Sequence, residues 1–177
     1  YKRQGFTLNS AYFRVSKVEV LGNNEIFDEA DLIKPALGQS IWLVNNDTFY
    51  DNMMQIPTIE SVIISKEYPN KITIELNEYD KIMTITDLRG SVPKKSTLYK
   101  NMIEIESDDI FLIPSLTITN GPVPPGFNGE MVSLIMTLKS YNLDVNSFNF
   151  TYNGDFFIGE YLSLIHISEP TRPVPIA

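Results

Sequence analysis

The sequence predicts an α+β fold with two successive domains, and three observations lead to this class. Residues 13–80 have the order strand, helix, helix, strand, strand, because alternating apolar segments flank two segments with helix-capping residues. Residues 81–161 differ in character, since short strands and turn signals surround one amphipathic helix. The content of 43% hydrophobic and 11% aromatic residues is sufficient to bury a core. We therefore expect a folded chain rather than a disordered one.

The first strand lies in the stretch "FRVSKVEVLGNNEI". Val18 and Val20 alternate there with Lys17 and Glu19, which is typical of a strand with one buried face. The Gly-Asn-Asn sequence at 22–24 ends the strand, because glycine and asparagine tolerate the positive φ of a tight turn. Residues 1–12 are polar without a period, and we expect them to form a tether.

A first helix is predicted in "FDEADLIKPAL". Asp28 can cap its N-terminus, and Asp31 stands three residues further on, as in a capping box. An apolar stripe is formed by Leu32, Ile33 and Leu37. We expect Pro35 to distort or shorten this helix and Gly38 to end it.

A second helix is predicted in "NNDTFYDNMMQIP", with Asn46 or Asp47 as its cap and Pro57 beyond its end. Its inward-facing residues are expected to be Phe49, Met53 and Met54. We also expect Trp42 to belong to the core rather than to a ligand platform.

The stretch "IESVIISKEYPNKITIELNEYD" predicts a β-hairpin with one solvent-exposed face. The alternating apolar residues are Val62 and Ile64 in one strand and Ile72, Ile74 and Leu76 in the other. Tyr68-Pro69-Asn70 forms the turn between them, because the proline ring fixes φ in the range that a tight turn requires. Residues 13–80 therefore predict a three-stranded sheet with two helices on one face.

The second domain begins with the strand "KIMTITDLRGSV", which runs into a turn. The stretch "TLYKNMIEIES" alternates weakly, Asp108-Asp109 marks a turn, and "SLTITNG" predicts a short strand. After a Pro/Gly loop comes a helix in "FNGEMVSLIMTLKSYNL". Its apolar side consists of Met131, Leu134, Ile135 and Leu138.

A last hairpin is predicted in "VNSFNFTYNGDFFIGE", with Asn153-Gly154 as its turn. In this prediction, the aromatic residues of the first strand pair with apolar residues of the second. The first set is Phe148, Phe150 and Tyr152, and the second is Phe156 and Ile158.

Composition lowers the expectation for several functions. The 22 acidic residues outnumber the 14 basic residues, and a net charge of −8 repels the phosphate backbone of nucleic acids. The absence of cysteine excludes thiol nucleophiles and cysteine-ligated zinc. No stretch approaches the roughly 20 apolar residues that span a bilayer. The chain opens at Tyr1 without a methionine, and we expect a fragment of a longer protein whose membrane anchor lies upstream.

We expect no catalytic, cofactor or metal site. Asn45–Asp51 contains oxygen ligands but lacks the glycine and distal glutamate of a calcium loop. The acidic residues Glu104, Glu106, Asp108 and Asp109 are spaced like a solvated strand face and turn, although paired carboxylates could serve glycoside hydrolysis. Gly90, Gly121, Gly126 and Gly129 lack phosphate-loop spacing, and Lys94-Lys95 is too short for a basic patch.

The end of the chain, residues 162–177, is expected to be non-native. Leu162–Arg172 resembles the translation of a transposase sequencing adapter over its whole length. The only histidine, His166, lies in this tail, so we do not expect it to be a site. A final strand with a Pro-rich end is the other interpretation of these residues.

Residues 13–80 resemble a POTRA domain. The resemblance rests on "FRVSKVEVLGNNEI", "GQSIWLV" and "IPTIESVIISKEYPNKITIELNEYDKI". The recurring positions are Val18, Val20, Gly22, Asn23, Pro57, Ile59, Val62, Pro69, Ile72, Ile74 and Glu78.

Residues 81–161 resemble the β-domain of the bacterial division proteins FtsQ and DivIB, truncated at its C-terminus. The matching residues are Asp87, Gly90, Pro114, Leu116, Gly154, Ile158 and Gly159. The order of one POTRA domain followed by this region is also typical of that family.

The resemblance implies a single-pass membrane protein of the division septum with an extracytoplasmic, non-enzymatic scaffold and no cofactor. Its implied partners are FtsL-like and DivIC/FtsB-like division proteins, bound by strand addition to an exposed sheet edge. In the family a strand beyond the last hairpin makes this contact. The candidate partner surface in this chain is the edge hairpin with Phe148, Phe150, Tyr152, Phe156 and Ile158.

Two other functions remain open at this stage. A POTRA-containing outer-membrane assembly or secretion component would need further POTRA copies, and only one is present here. A cell-wall hydrolase would need Glu104 and Glu106 as its catalytic carboxylates.

Overall fold

A computed structural model describes residues 10–22, 34, 36–109 and 111–161 of the chain. Two compact units are formed. The first reaches residue 80 and includes 99–103, and the second comprises 81–98 and the residues from 104 onward. Each unit is described by itself below.

The first unit contains a three-stranded sheet. Its strands are β1 (Lys17–Leu21), β2 (Ile59–Glu67) and β3 (Lys71–Glu78). The order is β1-β3-β2, with β1 parallel and β2 antiparallel to the central strand. The β2–β3 hairpin turns at 68–70, which confirms the turn predicted from Tyr-Pro-Asn. Its apolar residues Ile72, Ile74 and Leu76 are buried, as the alternation predicts.

Helix α1 (Asn46–Met54) packs its apolar side into the core of this unit. The cap is Asn45, one residue before the predicted position, and its side-chain Oδ1 accepts from the Asp47 amide at 3.0 Å. Phe49 and Met53 are buried as expected. The prediction that Met54 faces inward is wrong, because the helix is short and this residue lies at its exposed end.

Trp42 is exposed over 48% of its surface, so its assignment to the core is also wrong. The residue lies in a turn directly after the buried Ile41, and this turn directs the indole outward onto other aromatic rings. Most of the first predicted helix, with Asp28, Asp31, Leu32, Ile33 and Pro35, lies outside the described residues. Its predicted end is described, and there Leu37 lies in a turn and is 45% exposed, so its assignment to the apolar stripe is wrong.

A glycine is required where β1 ends. Gly22 has a φ of +125°, which L side chains rarely adopt. A Cβ at this position would also overlap the carbonyl oxygen of Leu76. The absence of a side chain at Gly22 therefore lets its backbone lie close to Leu76 of the neighbouring strand β3.

The second unit contains a six-stranded mixed sheet, one helix and a short 3₁₀ turn at Val145–Ser147. The strands are β4 (Lys81–Asp87), β5 (Lys94–Tyr99), β6 (Glu104–Glu106), β7 (Ser115–Ile118), β8 (Phe148–Tyr152) and β9 (Phe157–Tyr161). Their order is β6-β5-β4-β7-β8-β9. The weakly alternating stretch after residue 96 is therefore two strands, β5 and β6, joined by a turn in which Met102 has a φ of +69°.

Helix α2 (Phe127–Ser140) supplies one layer of the second core. Its buried residues are Phe127, Met131, Val132 and Ile135, while Leu134 and Leu138 are partly buried. Against them lie apolar side chains of four strands, including Ile82, Leu98, Leu116 and Phe150. The predicted α+β class with a second, β-rich region is thus confirmed.

Replacing Ile74 by Ala should lower the free energy of unfolding of the first unit by about 2–5 kcal/mol, because Ile74 is fully buried and its truncation leaves a cavity. The matched control is Ile63→Ala on β2, where the side chain is 51% exposed, and a loss below about 1 kcal/mol is expected. Urea denaturation followed by the fluorescence of Trp42, the only tryptophan, reports on this unit. Equal losses in the two variants would contradict the described burial.

Candidate interaction site

The outermost strand of the second sheet, β9, pairs on one side only among the described residues. It is antiparallel to β8, with Phe148 opposite Tyr161, Phe150 opposite Gly159 and Tyr152 opposite Phe157. In an antiparallel pair, alternate backbone N–H and C=O groups of an outer strand point away from its partner. These groups form a template for a further strand.

The predicted pairing of this hairpin is wrong. Phe156 is 66% exposed in the connection between the strands, and Ile158 lies opposite Thr151 on the other face of the sheet. The connection contains four residues, 153–156, rather than the two of an Asn-Gly turn. Phe157 and Tyr161 take the positions beside the aromatic residues of β8. Of the other residues of the candidate partner surface, Phe150 is buried, and Phe148 and Tyr152 are partly buried.

The side chain of Asn153 sets the length of this connection. Its Oδ1 accepts hydrogen bonds from the backbone amides of Asp155 at 3.1 Å and Phe156 at 2.7 Å. The Asn153 amide in turn donates to the Phe156 carbonyl at 3.2 Å. An asparagine that bonds to following amides stabilises a turn without requiring the two-residue form.

Two glycines meet where the connection contacts the loop after β7. Gly154 and Gly121 both have positive φ, at +95° and +76°. A Cβ on either residue would overlap the Cα of the other. The Tyr152 hydroxyl lies 3.0 Å from the Pro122 carbonyl oxygen and 3.1 Å from that of Gly154. These contacts fix the connection against the rest of the unit.

A charged pair holds the same loop from the end of β4. Arg89 forms two parallel bonds with Asp87, from Nε to Oδ1 at 2.9 Å and from Nη2 to Oδ2 at 2.6 Å. The third contact runs from Arg89 Nη1 to the Gly121 carbonyl oxygen at 2.9 Å. The Arg89 guanidinium lowers the pKa of Asp87 to about 2, and the Arg89 backbone amide, which donates to the same carboxylate, adds to this effect.

Aromatic rings stabilise the inner face of the β8–β9 hairpin. The ring centroids of Phe150 and Phe157 lie 5.3 Å apart, and those of Phe148 and Tyr161 lie 4.9 Å apart. Gly159 lies between Phe157 and Tyr161 and leaves room for the Phe150 ring, which a Cβ would approach to 3.0 Å. Phe157 and Tyr161 remain 38% and 52% exposed. The outer strand therefore presents apolar surface beside backbone groups that have no partner strand in the described part of the chain.

The opposite edge of the same sheet differs. Strand β6 has only three residues, of which Glu104 and Glu106 are charged, and Lys94 of β5 lies 3.9 Å from Glu106. Short, charged outer strands discourage the addition of another strand. β9 has five residues with a single charge, Glu160, and is the better receptor of the two.

The four acidic residues considered for catalysis lie at this β6 edge and the turn after it. Glu104 accepts a hydrogen bond from the Ser96 hydroxyl at 2.5 Å, and the Ser107 hydroxyl donates to Asp109 at 3.0 Å. Glu106 and Asp108 line a polar groove of about 420 Å³ together with Lys94 and Lys95. Within the described residues, no group of three or more His, Cys, Asp or Glu side chains could hold a metal ion. In the same part of the chain, no helix has the length and apolar character needed to cross a bilayer.

Comparison with known proteins gives the class of the first unit. Residues 13–79 match the family described as "POTRA domain, FtsQ-type". The first unit is therefore a POTRA domain, and the observed β1-β3-β2 sheet belongs to it.

Curated relatives extend the match into the second unit. Cell division protein DivIB of Clostridium acetobutylicum is 24% identical over 153 residues, which cover 81% of this chain and 60% of that protein. Cell division protein DivIB of Clostridium botulinum strain Loch Maree is 31% identical over 107 residues, 54% of this chain and 41% of that protein. The DivIB of Clostridium botulinum strain Hall matches to the same extent. Residues 13–79 thus belong to the FtsQ-type POTRA family, and the chain is similar to DivIB proteins, of whose length it spans 60% or less.

Replacing Gly121 by Ala should destabilise the second unit by more than about 2 kcal/mol, since the methyl group overlaps Gly154 and the backbone has positive φ. The matched control is Gly126→Ala, which has nearly the same φ of +82° but open space around it. There only the backbone cost of about 1 kcal/mol is expected. Chemical denaturation followed by near-ultraviolet circular dichroism measures both, and similar losses would contradict the glycine contact.

Replacing Asp87 by Asn should lower the stability of the second unit by roughly 1 kcal/mol at neutral pH, since the partly exposed pair is screened by water. The pKa of Asp87 falls from 3.8 to about 2 on folding, so its contribution is present above about pH 4 and is lost as the pH falls through about 2. The difference between wild type and variant should therefore decline below pH 4 in denaturation series. Glu106→Gln, at a loose surface pair, is the control and should show a difference near zero throughout. A pH-independent loss in the Asp87 variant would argue against the ion pair.

Proposed function

We propose that the chain is part of a non-enzymatic scaffold of the bacterial division machinery. It comprises a POTRA domain at residues 13–80 and a β-domain at 81–161, preceded by a tether at 1–12. The names of the curated relatives, Cell division protein DivIB, favour this function over a secretion or outer-membrane assembly component. The partners we propose are FtsL-like and DivIC/FtsB-like proteins, through which the scaffold is linked to septal peptidoglycan synthesis.

The observation that carries the proposal is the outer strand β9. Within the described residues no strand pairs with its outer side along Phe157–Tyr161, and apolar side chains are exposed on both of its faces. A partner strand would form main-chain hydrogen bonds with the backbone of β9 and would bury apolar surface against its exposed side chains. Ile158 on one face and Tyr161 on the other would contact alternate side chains of that strand.

The proposed location is the extracytoplasmic side of the cell membrane at the division septum. A transmembrane helix upstream of Tyr1 would anchor the chain, in line with the family. The absence of cysteine is compatible with that compartment but does not select it.

The proposal predicts that the 177-residue chain captures the extracytoplasmic segments of DivIC-like and FtsL-like proteins from the same organism. Replacing Ile158 by Lys should weaken this capture at least tenfold in a titration, because a lysine on an outer strand opposes strand addition. The fold should be retained, since Ile158 is 51% exposed.

The matched control is Leu112→Lys, which introduces the same charge at a side chain that is 93% exposed and is not part of β9. Its affinity should equal that of wild type. Loss of capture in both variants, or in neither, would exclude β9 as the binding edge, and no capture by wild type would reject the proposed partners.

A further inference from the structure

Asparagine is followed by glycine at three places in the second unit, Asn120-Gly121, Asn128-Gly129 and Asn153-Gly154. This dipeptide is chemically labile, because the backbone amide nitrogen of the second residue can attack the side-chain carbonyl carbon of the asparagine. Glycine permits the approach, since it has no Cβ to obstruct it. The structure surrounds the three dipeptides differently, and the difference decides which of them can react.

The surroundings of Asn128 and Asn153 restrain both side chains. Asn128 lies in the first turn of helix α2, where its backbone is helical and its Nδ2 donates to Glu104 Oε2 at 3.5 Å. Asn153 accepts through Oδ1 from the backbone amides of Asp155 and Phe156, at 3.1 and 2.7 Å. Attack at either site would first require the helical turn or these two hydrogen bonds to break.

Asn120 lies in a bend directly after β7 and is exposed. Within the described part of the chain its side chain forms no hydrogen bond, and the Gly121 amide donates none. Neither the carbon that is attacked nor the nitrogen that attacks therefore has to break a hydrogen bond to another described residue. Of the three asparagines, Asn120 is the one whose side chain is free to turn toward the following amide.

We propose that Asn120 is a site of spontaneous deamidation whose product weakens the contact between Gly121 and Gly154. The Gly121 nitrogen loses its proton to hydroxide and bonds to Asn120 Cγ. The departing NH₂ group takes a proton from water and leaves as ammonia, which closes a five-membered succinimide ring. Water then opens this ring at one of its two carbonyl carbons. Opening at Cγ gives aspartate, and opening at the main-chain carbonyl carbon gives isoaspartate.

The isoaspartate product alters the main chain beside the glycine contact. Its backbone is longer by one methylene group between residues 120 and 121, and it carries a new negative charge. Gly121 lies so close to Gly154 that a Cβ on either residue would overlap the Cα of the other. The Gly121 carbonyl oxygen also accepts from Arg89 at 2.9 Å, and a displaced Gly121 would lose this bond. Modification at Asn120 should therefore destabilise the second unit.

The first test is a time course of the folded 177-residue chain at mildly alkaline pH. Digestion with pepsin at acidic pH, followed by electron-transfer fragmentation, measures aspartate and isoaspartate at each of the three asparagines. Deamidation at Asn120 should be at least about tenfold faster than at Asn128 or Asn153, because the restraints on the other two must open first. Equal rates at the three sites, or a slower reaction at Asn120, would overturn the proposal.

The same chain in concentrated urea is the control for local sequence. All three asparagines should react there at similar rates, because each is followed by glycine and only the folded structure distinguishes them. A preference for Asn120 that persists in urea would assign the effect to its sequence neighbours and overturn the structural argument.

The second test measures the consequence with Asn120→Ser, which keeps a small polar side chain in the exposed bend and removes the reacting group. After the same incubation, wild type should contain a fraction with a lower urea midpoint, in proportion to its isoaspartate at residue 120. Asn120→Ser should keep a single, unchanged midpoint. The matched control Asn128→Ser, which removes another Asn-Gly pair, should change as wild type does.

An unchanged midpoint in wild type that contains isoaspartate at residue 120, or an equal loss in Asn120→Ser, would overturn the proposed effect on the glycine contact. Neither test involves a partner protein. Their results are therefore independent of the proposed division function.

Discussion

The close contact between Gly121 and Gly154 is the constraint on which the β-domain surface depends. It allows the loop after β7 and the connection after β8 to touch through their backbones, and Arg89 and Tyr152 bond to the same loop. The 153–156 connection, which contains Gly154, joins β8 to β9, and Phe150 pairs with Gly159 in the resulting register. A register shifted by one residue would turn the aromatic side chains of β9 to the other face. The Gly121–Gly154 contact therefore helps to hold the connection that leads into β9.

The two edges of this sheet have opposite properties, and the difference indicates where a partner strand would bind. β6 is short and acidic, which opposes pairing. β9 is longer and mostly apolar, and its Phe157 ring stacks on the Phe150 ring of β8. Among the described residues β9 has no partner on its outer side, and such an edge can accept a further strand. The POTRA domain has exposed aromatic rings of its own, at Tyr12, Trp42 and Tyr68.

Much of the POTRA fold could be predicted from the sequence because its determinants are local. The β2–β3 hairpin follows from period-two alternation and a Tyr-Pro-Asn turn, and α1 follows from a cap and an apolar stripe. The parallel pairing of β1 with β3 could not be derived in this way, since α1 and β2 both lie between these strands in the sequence. The β8–β9 register was predicted wrongly for a similar reason, because Gly121, which precedes the whole of α2, helps to set the turn at Gly154. Trp42 was misplaced because hydrophobicity alone does not tell a core residue from an exposed ring in a turn.

Amide hydrogen–deuterium exchange of the 177-residue chain, with and without the DivIC-like and FtsL-like segments, tests the central claim most directly. A bound strand would protect the outward amides of β9, so exchange within 157–161 should slow on addition of the partner while exchange in β6 stays unchanged. Unchanged exchange in β9 together with protection at β6 or in the POTRA sheet would contradict the account.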